Sequence, residues 1–313
     1  MNHPVEDCIV IGAGLAGLAA ARTLENAGLS VFLLDKGRRV GGRMASRHFQ
    51  GVHFDYGAQF FSARDPEFRR VIDGFLGTAV ASPWFDRDGE TRYCSPLGMN
   101  ALPQFLADGL RIRCEVTVAA IRRDQHLWRI VTENGEVYST EILVLTTPVP
   151  QALELLEFSE QVRNDLGAIE YHRCLAIMAV LEGDSAIPAP GFLRVTQEPL
   201  QTLSDNRQKG LEGDATGVTI LASPAYSLLH WDVPKEEVAS QLLAAAAPWL
   251  GSPVTHWRYH RWRYSQPVQT FDGRYYGVEG SPLLVLAGDA FGGPRVEGAF
   301  LSGIAAANWL LAK

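Results

Sequence analysis

Residues 8–35 read CIVIGAGLAGLAAARTLENAGLSVFLLD, and this stretch decides the fold. The apolar run CIVI ends at Gly12, and a small-residue helix is predicted over 15–27, where it is closed by Gly28. A second apolar run, residues 29–34, ends at Asp35. A strand, a helix and a second strand within about 30 residues form a βαβ unit. The stretch therefore predicts an α/β protein with a parallel sheet.

The loop inside this unit has the spacing of a dinucleotide fingerprint, GxGxxG. Gly12 permits the tight turn, Gly14 lets the backbone approach a pyrophosphate, and Gly17 lets the helix pack close to the strand. Asp35 stands 18 residues (35 − 17) after the last glycine, where a carboxylate can accept hydrogen bonds from ribose hydroxyls. The fingerprint predicts a Rossmann-like dinucleotide site, and the acidic Asp35 disfavours NADP. The predicted loop ligands are Gly12, Ala13, Gly14, Leu15, Ala16 and Gly17.

Three later segments favour FAD over NAD. Residues 39–43 (RVGGR) bring paired glycines and Arg43 close behind the second strand, and residues 55–61 (DYGAQFF) suit a wall beside a flat ring. Near the C-terminal end, a buried strand runs into Gly288-Asp289, and a helix follows. Ligands of parallel sheets lie at the carboxyl ends of the strands, so Asp289 can meet a ribityl chain there. An NAD enzyme has no need of this second nucleotide contact.

The rest of the chain predicts a nucleotide domain made from both ends of the sequence. We expect a helix over 98–109, strands over 110–147 with a turn at Asn134-Gly135, a strand at 283–287 and a helix over 298–311. The middle predicts short strands and one helix, 235–250, as an α+β substrate domain on a mixed or antiparallel sheet. The predicted division is 1–65, 98–150 and 270–313 for the FAD-binding domain, and 66–97 and 151–269 for the substrate domain.

The bulk properties exclude several classes of protein. The chain has 313 residues, a net charge of −7 and no apolar run near the roughly 18 residues of a membrane span. The acidic balance disfavours nucleic acid and anionic membranes as partners. Four scattered cysteines without a CxxC motif predict reduced thiols, and hence a cytoplasmic protein. We expect a monomer or weak dimer without a metal.

At this point the chain resembles the FAD-dependent amine oxidase superfamily, and within it the renalases, especially the bacterial type. The resemblance runs nearly end to end. Its motifs are GAGLAGL (12–18), DKGRRVGGRM (35–44), DYGAQFF (55–61), VLTTPVPQ (144–151), SDNRQKG (204–210), HRWRYSQP (260–267), AGDAF (287–291) and RVEGAFLSG (295–303).

The resemblance implies a non-covalent FAD and assigns its contacts. Asp35 would bind the adenosine ribose, Arg43 the pyrophosphate and Asp289 the ribityl chain, while Val118 would contact the adenine side. The segments that would border the flavin ring are 57–60 and 296–299. The further predicted FAD ligands are Lys36, Gly42, Gly57, Ala58, Gln59, Phe60, Gly288, Val296, Glu297, Gly298 and Ala299.

The implied activity is oxidation of 2- or 6-dihydro-NAD(P) isomers to NAD(P)+, with electrons passed to O2 to give H2O2. Strand alternation puts His256, Arg258, His260, Trp262 and Tyr264 on one face of segment 256–267, a face that could stack on a dihydropyridine and hold a phosphate. Trp262, Tyr264 and Asn206 are the candidate catalytic residues.

Four other functions remain open from the sequence. The first is an FAD-dependent amine oxidase acting on a small amine, which shares every cofactor motif. It is disfavoured because no lysine lies between Lys235 and Lys313 and no cysteine stands shortly before Gly288. The others are a lipid desaturase, a flavin-holding interaction protein and an NAD-dependent dehydrogenase.

Overall fold

The computed structural model describes residues 2–313 and contains seventeen strands and eight helices over that range. The strands are β1 Asn2–Ile11, β2 Val31–Leu34, β3 Ser46–Phe49, β4 Val52–Asp55, β5 Ser82–Arg87, β6 Glu90–Cys94, β7 Arg111–Arg113, β8 Val118–Asp124, β9 Leu127–Thr132, β10 Val137–Leu145, β11 Tyr171–Leu181, β12 Phe192–Arg194, β13 Leu200–Asp205, β14 Thr216–Ala222, β15 Val254–Pro267, β16 Tyr276–Val278 and β17 Leu283–Leu286. The helices are α1 Leu15–Asn26, α2 Pro66–Asp73, α3 Ala101–Ala107, α4 Val149–Leu155, α5 Glu160–Leu166, α6 Pro224–Leu229, α7 Lys235–Leu250 and α8 Val296–Leu311.

The larger sheet has eight strands and confirms the predicted βαβ unit. Its main order is β16-β17-β10-β1-β2-β7, and strands β17, β10, β1, β2 and β7 are parallel. The first half of β10 pairs with β9 and its second half with β17. As a result, the carboxyl ends of β1, β10 and β17 meet at one edge of the sheet.

Helices and a hairpin cover the two faces of this sheet. Helices α1 and α8 pack side by side on one face through a buried cluster that includes Leu18, Leu24 and Leu310. The β8–β9 hairpin with α4 and α5 covers the other face through Trp128 and Ile130. Both faces are apolar because both are covered, which is the rule for parallel sheets.

The smaller sheet is antiparallel, with the order β12-β13-β14-β11-β15. Helix α7 packs on one face through Leu242 and Ala246, and the β3–β4 hairpin packs on the other through Phe54. Strand β11 therefore has both faces covered, and its residues 174–181 are buried without alternation.

Several predicted elements are confirmed and others need correction. Helices α7 and α8, the β9–β10 hairpin around Asn134-Gly135 and strand β17 lie where the sequence predicts them. The expectation of a single helix in the middle is wrong, because α4, α5 and α6 also lie there. These three helices have six or seven residues, too few to show a helical repeat. The aromatic segment is one continuous strand, β15.

Over the described residues, no helix combines the length and apolar character that crossing a membrane requires. The four cysteines are free thiols, and Cys8, Cys94 and Cys174 are buried.

Candidate functional site

The glycine loop joins the end of β1 to the start of α1. Gly12 adopts a positive φ of 107°, and a Cβ on Gly17 would lie 1.9 Å from the Gly12 carbonyl oxygen, so the helix can only approach this closely with glycine there. Gly14 is the N-cap of α1 and makes no side-chain capping bond, while a Cβ on it would meet nothing within 4 Å. The first N–H groups of α1 thus have no side-chain cap and lie beside open space at Gly14, an arrangement suited to an anion.

Asp35 lies beside this loop, as predicted. Its carboxylate accepts the backbone N–H of Ala13 and of Gly37, each at 2.6 Å. Val116 donates its N–H to the carbonyl of Asp35, so the strand that begins at Val118 starts next to the predicted ribose position. Lys36 is exposed on the outer side of the turn.

The two ends of the chain meet at this edge of the sheet. The two guanidinium N–H groups of Arg43 donate to the two carboxylate oxygens of Asp289 at 2.6 and 2.7 Å, across 246 residues of sequence. Burial lowers the pKa of Arg43, but the neighbouring Asp289 carboxylate outweighs it, and the pKa of Arg43 is raised overall. Because Gly41 donates its N–H to the Ala13 carbonyl, the Arg43–Asp289 pair lies next to the glycine loop.

Residues 57–60 lie beside Arg43. A Cβ on Gly57 would lie 2.0 Å from the Arg43 carbonyl oxygen and 3.3 Å from Cζ2 of Trp262, so only glycine fits. The Gln59 side chain donates to the carbonyls of Asp55 and Gly57, and its Oε1 is buried without a partner among the described residues. This free acceptor of Gln59 is suited to a ligand that donates a hydrogen bond.

Helix α8 begins at Val296, and its N-cap Arg295 makes no side-chain capping bond. Gly298 packs against Gly293, and Ala299 donates its N–H to Arg295. The Glu297 carboxylate accepts the N–H groups of Arg64 and Asp65, so the side chain is engaged by a neighbouring loop. Both bonds use Oε1 of Glu297.

Strand β15 contributes an aromatic wall, which we define as Tyr56, His260 and Trp262. The Trp262 indole donates to the Tyr56 carbonyl at 2.9 Å and stacks on the Tyr56 ring at 5.4 Å, and His260 meets both rings edge-on. Burial, with the nearby charges of Arg47 and Arg258, lowers the pKa of His260 to about 4. Its imidazole is therefore neutral near pH 7.

The other two candidate catalytic residues are placed differently. Tyr264 contacts Tyr171 edge-on, and the Tyr171 ring lies under the guanidinium of Arg43. Asn206 is fully buried, and both its amide donors are used, by the Gly217 carbonyl and the Thr219 hydroxyl. Its Oδ1 accepts the N–H of Asp55. The structure thus gives Asn206 the contacts of a residue that positions the 55–57 segment rather than one that lines a pocket.

An ion pair that the sequence did not predict anchors the same segment. Lys209 donates to Asp55 at 2.5 Å, and both side chains have no exposed surface. Asp55 also accepts the Ser46 hydroxyl and the Met99 N–H. Both residues stand in motifs of the resemblance, DYGAQFF and SDNRQKG, and this is the one signal of the pair in the sequence. The residues from 2 to 313 contain no group of three His, Cys, Asp or Glu suited to a metal ion.

Comparison with known proteins identifies the chain's relatives. Residues 10–75 match the NAD(P)-binding Rossmann-like domain, and residues 76–311 match the flavin containing amine oxidoreductase model. Mouse renalase is 25% identical over 95% of this chain and 96% of its own length.

Solved structures share the fold. A putative protoporphyrinogen oxidase from Exiguobacterium sp. 255-15 superposes with a TM-score of 0.74 at 15% identity, covering 98% of this chain and 99% of its own. A putrescine oxidase bound to putrescine has a TM-score of 0.72 at 16% identity and covers 100% of both chains.

The described residues fit FAD, the cofactor that these matches indicate. The uncapped N-terminus of α1 and the open space beside Gly14 suit a pyrophosphate. Gln59 Oε1 and the Thr147 hydroxyl are buried at this edge without partners in the described part of the chain. They can bond the polar groups of a bound flavin.

Proposed function

The chain belongs to the flavin containing amine oxidoreductase family, and from that premise we propose that this FAD-dependent oxidase takes a hydride from 2- or 6-dihydro-NAD(P) isomers. The organic product would be NAD(P)+, and O2 would be reduced to H2O2. When bound, FAD supplies the hydride acceptor and the route to O2.

The chain's own residues would hold the donor ring rather than move protons. A dihydropyridine becomes aromatic on losing its hydride, so no residue has to remove a proton from carbon. Trp262 would stack on the ring, and Tyr264 would limit its movement on the side of Tyr171. These contacts would hold the hydride donor and its acceptor in a near-attack geometry, with the reacting atoms about 3–3.5 Å apart. We propose Asn206 as a positioning residue for the segment next to them.

The FAD contacts remain proposals of the same kind. The 12–17 loop and Arg43 would hold the pyrophosphate, Asp35 and the backbone near Val118 the adenosine, and Asp289 the ribityl chain. Residues 57–60 and 296–299 would border the flavin ring. The division into two domains at the predicted boundaries is supported by the separation of the two sheets, which take their strands from 2–145 with 276–286 and from 171–267. We propose a cytoplasmic monomer or weak dimer.

The observation that carries the substrate proposal is the charge of the aromatic wall. His260 is neutral, and the charged side chains near it are Arg47 and Arg258. An ammonium substrate would be repelled there, whereas a dihydropyridine is neutral and its phosphates are negative. The alternative, oxidation of a small amine, is supported by family membership and by the shared fold of a putrescine oxidase.

Anaerobic mixing separates the two proposals. The oxidised holoenzyme is mixed with 2-, 4- and 6-dihydro-NAD, putrescine and benzylamine, and the 450 nm flavin band is followed. We expect the 2- and 6-isomers to bleach the band, and admission of air to restore it with release of H2O2. Bleaching by an amine but by none of the dihydropyridines would contradict the proposal and support the alternative.

A further inference from the structure

Two arginines lie next to the aromatic wall without a carboxylate partner. Arg258 precedes Trp262 by four residues on β15 and shares its face, and Arg47 stands on β3. Among residues 2–313, neither guanidinium lies within 4.0 Å of an acidic side chain. In a chain of net charge −7, this is a local excess of positive charge.

The pair is continuous with the proposed substrate site. The guanidinium of Arg47 lies 5.1 Å from the centre of the Tyr56 ring, which itself stacks on Trp262. The guanidinium of Arg258 lies 5.9 Å from the centre of the Phe49 ring, and Phe49 is on β3 with Arg47. Stacking on aromatic rings leaves the planar N–H groups of an arginine available to a ligand.

The positive charges of Arg47 and Arg258 act on His260 of the aromatic wall. Each contributes to the lowered pKa of His260 by disfavouring a third positive charge there. Arg43, by contrast, is committed to Asp289 and to the Ser265 carbonyl at the cofactor edge. Arg47 and Arg258 are therefore the guanidinium groups near the wall that remain free to bind an anion.

We propose that Arg47 and Arg258 bind the diphosphate of a dinucleotide substrate whose reacting ring lies on Trp262. This inference rests on the proposed function and adds the group by which the enzyme distinguishes a dinucleotide from a nucleoside. Guanidinium groups bind phosphate through paired, charge-assisted hydrogen bonds. In a dinucleotide one ribose separates the nicotinamide from the diphosphate, so the diphosphate lies beside the ring's binding surface rather than on it.

The test compares two substrates that share the reacting ring. Anaerobic flavin reduction is measured with 6-dihydro-NAD and with 6-dihydronicotinamide riboside, which lacks the diphosphate. The variants are Arg47→Gln and Arg258→Gln. The matched control is Arg263→Gln, an exposed arginine of the same strand that is not among the charges acting on His260.

We expect each of the two variants to lower the ratio of kcat/KM for the dinucleotide to kcat/KM for the riboside by roughly tenfold, the effect of losing one charge-assisted contact. The control should keep the wild-type ratio. An unchanged ratio in both variants, or an equal fall in the control, would overturn the inference while leaving the proposed function intact.

A binding measurement separates this inference from the proposed function. ADP-ribose, which carries the diphosphate but no reacting ring, is titrated into the oxidised holoenzyme by calorimetry. Binding that weakens in Arg258→Gln but not in Arg263→Gln supports the anion subsite even where no dihydropyridine bleaches the flavin. Equal binding by the wild-type protein and both variants would refute it.

Discussion

The buried ion pair between Lys209 and Asp55 allows a direct test of how the β3–β4 hairpin is held on the smaller sheet. Lys209→Met removes the cation and leaves the Asp55 carboxylate with no exposed surface and no opposite charge. Breaking a buried pair from one side costs about 3–5 kcal/mol, because the remaining charge has lost its partner. At about 2–4 °C per kcal/mol for a domain of this size, the thermal midpoint should fall by roughly 10 °C.

The assay is thermal unfolding of the holoenzyme followed by tryptophan fluorescence. Lys235→Met is the matched control, since Lys235 is 62% exposed and pairs only with the neighbouring Glu236. Surface ion pairs contribute about 0–1 kcal/mol, so this control should stay within about 4 °C of wild type.

The double variant Lys209→Met, Asp55→Asn completes the thermodynamic cycle. It removes both charges while Asn keeps an acceptor for the Met99 N–H, so its loss should be smaller than the sum of the two single losses by about 2 kcal/mol or more. Losses that simply add, or a Lys209→Met midpoint no lower than that of the Lys235 control, would refute the reasoning. Because Asp55 precedes Tyr56 and Gly57, the single variants should also release FAD more readily on gel filtration.

Three further predictions concern the cofactor and the wall. Gly14→Ala should fold normally, since its Cβ meets no protein atom within 4 Å. It should bind FAD roughly tenfold more weakly in a fluorescence titration, because the methyl group occupies the space through which a phosphate approaches the backbone. An unchanged affinity would place the pyrophosphate elsewhere. Trp262→Ala and Tyr264→Phe should each slow flavin reduction in stopped-flow traces, and unchanged rates in both would remove these residues from the site. The free energy of unfolding should decrease as the pH falls from about 6.5 towards about 4, because His260 takes up a proton in the unfolded chain but not in the folded protein. In urea titrations over that pH range, His260→Gln should show a shallower decline. An identical decline would contradict the lowered pKa of His260.

The parts of the fold that the sequence predicts are those with strong local signals. The βαβ unit, the Asn134-Gly135 hairpin and the long helices α7 and α8 carry their own periodicity or turn residues. The placement of Gly12 and Gly288 at one edge of the sheet, on either side of β10, agrees with one general rule, that ligands of parallel sheets lie at the carboxyl ends of their strands.

The rest depended on tertiary contacts that no local pattern records. Lys209 and Asp55 are 154 residues apart, and neither neighbourhood shows that its charge will be buried. Arg47 lay outside every predicted site because its role depends on how the β3–β4 hairpin packs on the smaller sheet. Asn206 stood in a motif of the resemblance, but the motif could not show that its amide is used within the protein.

Strand β17 and helix α8 follow the smaller sheet in the sequence, so the larger sheet is completed only after that sheet has been synthesised. The second half of β10 pairs only with β1, and α1 has α3 but not α8 beside it, until residues 283–311 have been synthesised. Asp289 reaches Arg43 at the same late stage. Until residues 283–311 emerge, one edge of β10 and one side of α1 stay uncovered, and a chain that ends before residue 283 lacks the Asp289 contact with Arg43.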